Sequence, residues 1–156
     1  MKKALLLLAS AFALHTLQAQ PKDIKANISD GADPAAVSIQ FLPSDATANP
    51  KTGDITIYVP LKATVKNIGN KPYLPGNEPL VIYLYRVENG QDIPVEHKAV
   101  NILQAGTEVV VQHTGSYIKG KQEPPKFKLA FLAKTSGVPN PDVSLTNNRK
   151  MAQAPK

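Results

Sequence analysis

The sequence predicts an all-β chain that folds as an antiparallel sandwich of two sheets, with about seven strands in all. Three observations carry this. Apolar residues recur with period two in several separate segments, no stretch of helical length repeats them at helical spacing, and the 14 prolines of the 156 residues fall mostly between those segments. A period of two puts successive side chains on opposite faces, so each such segment has one face to bury and one to wet.

Val37, Ile39 and Phe41 mark the first strand. Residues 55–65 form the clearest one, because Ile55, Ile57, Val59, Leu61, Ala63 and Val65 alternate with Thr56, Tyr58, Pro60, Lys62 and Thr64. Pro60 falls on the wet face and has no amide hydrogen, so the strand is expected to lie at an edge there or to break at a bulge. Residues 80–87 are apolar on both faces up to Arg86, which suits a central strand whose Tyr83 and Tyr85 turn their hydroxyls outward. Asn89-Gly90 supplies the positive φ angles of a tight hairpin, and the chain returns through Ile93 and Val95 toward Leu103.

After Ala105-Gly106, residues 109–111 read as the next strand. Phe127, Leu129, Phe131 and Ala133 then alternate with Lys126, Lys128 and Lys134. Ala130 and Leu132 interrupt the polar face of that strand, so its middle is expected to be covered on both sides. The last strand is placed at residues 142–146, with Val143 and Leu145 facing in.

Lys2 and Lys3 precede an apolar stretch over residues 4–14 and a short segment ending at Ala19, the pattern of a secretory signal peptide. The apolar run is about 11 residues where a membrane-spanning helix needs ~20, so no membrane span is expected. The chain has no cysteine, which excludes a disulfide framework and a thiol-linked lipid anchor. Roughly 137 residues would remain after cleavage, enough for one domain held by its core alone. The expected division is a signal peptide over residues 1–19, a loose segment over 20–35, the sandwich over 36–149 and a flexible tail over 150–156. Export places the mature protein in the periplasm or outside the cell. The formal charge of +6 falls to nearer +4 without Lys2 and Lys3, and the remaining lysines are scattered, so nucleic acid is not an expected partner.

Four short motifs support a family resemblance: residues 49–54, with Asn49, Pro50 and Gly53; residues 63–70, ending in Asn67-Ile68-Gly69-Asn70; residues 102–107, with Gly106; and Leu145 to Asn148. Together they resemble the CARDB family, bacterial cell-adhesion-related domains akin to fibronectin type III modules. The resemblance spans residues 37–148 and implies an immunoglobulin-like sandwich. The motifs have structural explanations of their own, since Asn and Gly tolerate left-handed backbone and Asn side chains bond nearby backbone where strands end.

The chemistry-bearing residues point away from catalysis. His97 and His113 have no second histidine or cysteine at ligand spacing, so no metal and no cofactor is expected. Ser116 and His113 make a nucleophile pair on paper only, with nothing to orient them. Asp30, Asp33 and Asp45 read as turn caps rather than calcium ligands, for want of an ordered loop repeat. Tyr58, Tyr73, Tyr83 and Tyr85 are the candidate contact residues, because a ring bearing a hydroxyl suits a surface that is both apolar and wet. The resulting expectation is a non-enzymatic exported module that binds a protein or glycan at the cell envelope, through the tyrosine-bearing face or the proline-rich residues 71–79. The alternative is a structural subunit that joins an envelope complex by pairing an edge strand.

Overall fold

The computed structural model describes residues 30–156, so the expected signal peptide lies outside the described residues. Eight strands are found among them: β1 (Pro34–Phe41), β2 (Asp45–Ala48), β3 (Ile55–Asn67), β4 (Leu80–Glu88), β5 (Gln91–Val100), β6 (Glu108–Ile118), β7 (Lys126–Phe131) and β8 (Arg149–Gln153). Every pairing between them is antiparallel. In the first sheet β3 is the spine, with β6 along one side and β1 and β2 end to end along the other. The second sheet runs β5-β4-β7-β8.

Alternation explains why these two sheets face each other. Val59, Leu61, Ala63 and Val65 of β3 are buried, as are Leu80, Ile82 and Leu84 of β4 and Phe127, Leu129 and Phe131 of β7. Leu61, Ala63 and Val65 form one core with the β4 and β7 residues, the sandwich arrangement expected when each sheet buries one face. His113 lies opposite Leu61 in the β3–β6 ladder and so turns inward too, its ring edge 5.8 Å from the Phe127 ring centroid to centroid.

Pro60 resolves differently from either expectation. The strand that carries it is central and unbroken, and it is the partner that breaks: Leu42 donates its N–H to the Pro60 carbonyl at 2.9 Å, and beyond that point β1 gives way to β2. In an antiparallel ladder a residue's N–H and C=O point the same way, so the missing Pro60 donor faces the gap between the two partners. No ladder bond is lost there.

At the other end of β3, Asn67 is fully buried and makes the joint of the fold. Its side-chain oxygen accepts from the amides of Asp33 (2.9 Å) and Gly69 (3.1 Å), while its Nδ2 donates to the carbonyls of Lys71 (2.7 Å) and Leu103 (2.9 Å). One side chain thus ties the entry to β1, the β3–β4 connection and the β5–β6 connection. Gly69 sits in the same joint, so close to the Gly31 carbonyl that a Cβ would stand 2.0 Å from its oxygen.

Four expectations need correction. Residues 142–146 are not a strand: Asp142 accepts from the Ser144 amide (3.0 Å) and from Asn148 Nδ2 (2.8 Å), and Asn147 Nδ2 donates to Asp33 Oδ1 (2.8 Å). Local side-chain bonds of this kind compete with a ladder, and Val143 and Leu145 are left exposed. The last strand is β8, inside the stretch expected as a flexible tail, and Ala154 is buried against Val59 and Tyr117. At the N-terminal end, Ala32 and Asp33 are buried and β1 begins at Pro34, inside the segment expected to be loose. Leu132 is not covered, because β7 ends one residue before it.

Candidate functional site

The register of the second sheet decides what its outer face displays. Across one row lie His97 of β5, Tyr83 of β4, Ala130 of β7 and Arg149 of β8, and across the next lie Pro94, Tyr85, Lys128 and Met151. Tyr83 and Tyr85 stack with ring centroids 5.7 Å apart, and the His97 ring lies 6.0 Å from that of Tyr83. Lys128 places its Nζ 5.7 Å from the Tyr85 ring centre and pairs with Asp92, which lies opposite Val87 in the next row. Burial pushes the Tyr85 hydroxyl pKa up, with Tyr83 adding to the shift and the Lys128 cation opposing it.

Ala130 is the smallest side chain in its row, and the surface dips over it. Two adjoining clefts share Lys128, Ala130, Phe131 and Leu132 as lining: one of about 510 Å³ reaches toward Tyr83 and Tyr85, the other of about 470 Å³ toward Leu145 and Arg149. The rim is apolar and open. Leu132 is 93% exposed, Met151 58% and Leu145 56%, an unusual concentration of aliphatic side chains in water for one side of a small domain.

The four tyrosines singled out in the sequence do not make one surface. Tyr83 and Tyr85 share the face just described, whereas Tyr58 stands on the outer face of the first sheet, on the opposite side of the sandwich. Tyr73 is 1% exposed and belongs to the core: its hydroxyl accepts from the Lys134 amide at 2.7 Å, and its backbone pairs with Leu103. That ring anchors the proline-rich residues 71–79 at position 73, while residues 76–79 are exposed. Ala130, Leu132, Leu145, Arg149 and Met151 were missed as site residues. The signal for the first two was present, since Ala130 and Leu132 break the polar alternation of residues 126–134; for Arg149 and Met151 it depended on the register of β8, and for Leu145 on the irregular segment before it.

The histidines have packing roles in these surroundings. His113 points inward and Ser116, three residues on in the same strand, points outward, so alternation separates the pair. Asp30 and Asp33 both lie at the Asn67 end of β3 and Asp45 pairs with Tyr58 near its other end, so the three early aspartates do not converge. No group of three or more metal-ligating side chains occurs among the described residues, and none of their helices is long and apolar enough to cross a membrane.

Burial lowers the pKa of His113, a nearby Glu96 opposing and Arg86 adding to the effect. A base whose folded pKa is depressed binds protons more readily unfolded, so its contribution to stability is complete above the unfolded pKa of about 6.5 and is lost as pH falls below it. Urea midpoints measured at pH 7.5 and 5.5 are expected to fall more for the native chain than for His113→Phe. Equal falls would remove His113 as the cause.

No family model, curated protein or solved structure matches this chain. The geometry of the outer face therefore carries the functional argument.

Proposed function

We propose that this chain is an exported, non-enzymatic binding module that recognises a partner protein at the bacterial cell envelope through the outer face of the β5-β4-β7-β8 sheet. The observation that carries this reading is the exposed apolar rim of Leu132, Leu145 and Met151 beside the Tyr83–Tyr85 pair. Aromatic rings next to aliphatic side chains suit a protein surface, where apolar contact supplies most of the affinity at a few central residues. A glycan is the weaker fit. Sugar stacking needs a free ring face and polar groups around it, but Tyr83 already has both Tyr85 and His97 as ring neighbours, and the rim offers aliphatic carbon.

Export to the periplasm or cell exterior rests on the pattern of residues 1–19 and on the absence of cysteine. An immunoglobulin-like, fibronectin type III-like sandwich of the CARDB kind rests on the motifs quoted above. Two of them, residues 67–70 and 147–148, meet in one joint around Asn67 and Asp33. Assembly by edge pairing has less support. In the two-residue Asn89-Gly90 hairpin the alternation of ladder bonds turns the Pro94 backbone toward the free edge of β5, where it offers no donor. The seams between the sheets are also spanned, by Lys98 Nζ donating to the Val110 carbonyl (3.4 Å) and Lys150 Nζ to the Val37 carbonyl (2.7 Å).

Leu132→Glu tests the proposal, since a side chain already in water can change with only about ±0.5 kcal/mol effect on stability. With an envelope extract of the source organism, Leu132→Glu is expected to lose about tenfold in retained partner protein, whereas Lys62→Glu on the opposite face retains it. Equal retention by both variants, or binding on a glycan array in place of protein capture, would overturn it.

A further inference from the structure

We infer that the trough over Ala130 takes an extended acidic segment of a partner protein, with a carboxylate on the Arg149 guanidinium and an apolar side chain against Leu132 and Leu145. This deepens the protein-binding reading and rests on it. Three observations lead to it. Two clefts meet over Ala130 of β7, which stands between two larger residues in a single row, Tyr83 of β4 on one side and Arg149 of β8 on the other. Their depth comes from the side chains; the backbone beneath is regular.

The second observation is electrostatic. Of the charged side chains that line the two clefts, Asp92 and Lys128 are paired with each other, which leaves Arg149. Arg149 has no ion pair among the described residues, and neither has Lys126 in the row beyond. The face therefore presents uncompensated positive charge along its β7–β8 side, and the complement to it is a carboxylate. A guanidinium can take that carboxylate with two parallel hydrogen bonds, which fixes its direction as well as its charge.

The third observation separates a peptide from a free anion. A small anion bound against Leu132 and Leu145 would give up water for hydrocarbon and gain one cation in return, an unfavourable exchange. A carboxylate carried beside an apolar side chain avoids this, because the apolar group takes the aliphatic wall while the acid reaches Arg149. The width of one alanine between the walls suits a single extended chain.

Panning a phage-displayed random dodecapeptide library on the purified full chain tests the inference. The selected peptides are expected to carry Asp or Glu within two positions of Leu, Ile, Val or Phe. Their binding should fall about tenfold or more with Ala130→Trp, which fills the trough, and Arg149→Glu should shift selection toward Lys and Arg. Unchanged urea midpoints for both variants separate lost binding from lost folding. Neutral or basic peptides that still depend on Ala130 would overturn the charge assignment and leave the protein-binding face standing. Peptides indifferent to Ala130→Trp, or none selected while uronic-acid glycans bind or the chain self-associates, would overturn both.

Discussion

Replacing Asn67 with alanine is expected to lower stability by about 4 kcal/mol, a large part of the 5–15 kcal/mol available to a domain of this kind. The truncation strands the amides of Asp33 and Gly69, which have the Asn67 oxygen as acceptor at 2.9 and 3.1 Å in a site closed to water. Each orphaned buried donor costs about 1–3 kcal/mol. The two carbonyls suffer less, since that of Leu103 keeps the Tyr73 amide as a second donor at 2.9 Å. Asn67→Asp separates the two halves of the role: it preserves the acceptor and sets a carboxylate against the Lys71 and Leu103 carbonyls. Burial and those carbonyls would raise the pKa of the new acid, so its stability should recover as pH falls through that raised value. Urea denaturation of both variants at pH 7 and pH 4 reads the effect. A loss below about 1 kcal/mol for Asn67→Ala would show that water or chain movement replaces the missing oxygen.

What the sequence revealed of the fold followed from alternation, and what it hid followed from polar and local bonds. The odd positions of β3 from Val59 to Val65 are buried as read, and Asn89-Gly90 turns with φ of 51° and 79° between β4 and β5. β2 escaped because its four residues are all exposed and the only apolar side chains in it are the small ones of Ala46 and Ala48. β8 escaped for a related reason: Arg149, Lys150 and Gln153 mask Ala152, whose partner Phe127 lies in another strand. The apolar Val143 and Leu145 misled in the opposite direction. Their spacing matched a strand, but Asp142, Asn147 and Asn148 supply competing side-chain bonds, and no pattern in apolar residues can report those.

The site was half legible for the same reason. Tyr83 and Tyr85 sit two apart in one strand, so their shared face was determined by the strand itself. Ala130, Arg149 and Met151 join them only through the registers of β4 with β7 and of β7 with β8, which depend on a core that the sequence does not spell out. Tyr73 shows the limit of residue type as a guide. A tyrosine between prolines resembles a surface loop residue, yet its hydroxyl finds the Lys134 amide and its ring fills the core.

Phe127→Ala is expected to cost about 3–5 kcal/mol, and the loss should depend on Gly115. Phe127 is fully buried, with the rings of Phe41 and His113 as neighbours at 6.2 and 5.8 Å between centroids. Its ring tip occupies the space that a side chain at position 115 would take, since a Cβ there would stand 2.6 Å from Phe127 Cζ. Gly115 has no positive φ, so its backbone would accept alanine; the ring alone excludes it. Gly115→Ala should therefore cost about 1–3 kcal/mol in the native chain through overpacking. In the Phe127→Ala background the same methyl enters the void left by the ring, and its cost should vanish or change sign. The double-mutant cycle is then expected to show a coupling of about 1 kcal/mol or more, with the double variant more stable than the sum of the singles implies. Additivity within about 0.5 kcal/mol would mean that the ring moves aside freely, and that this part of the core is packed less tightly than the contact at Gly115 implies.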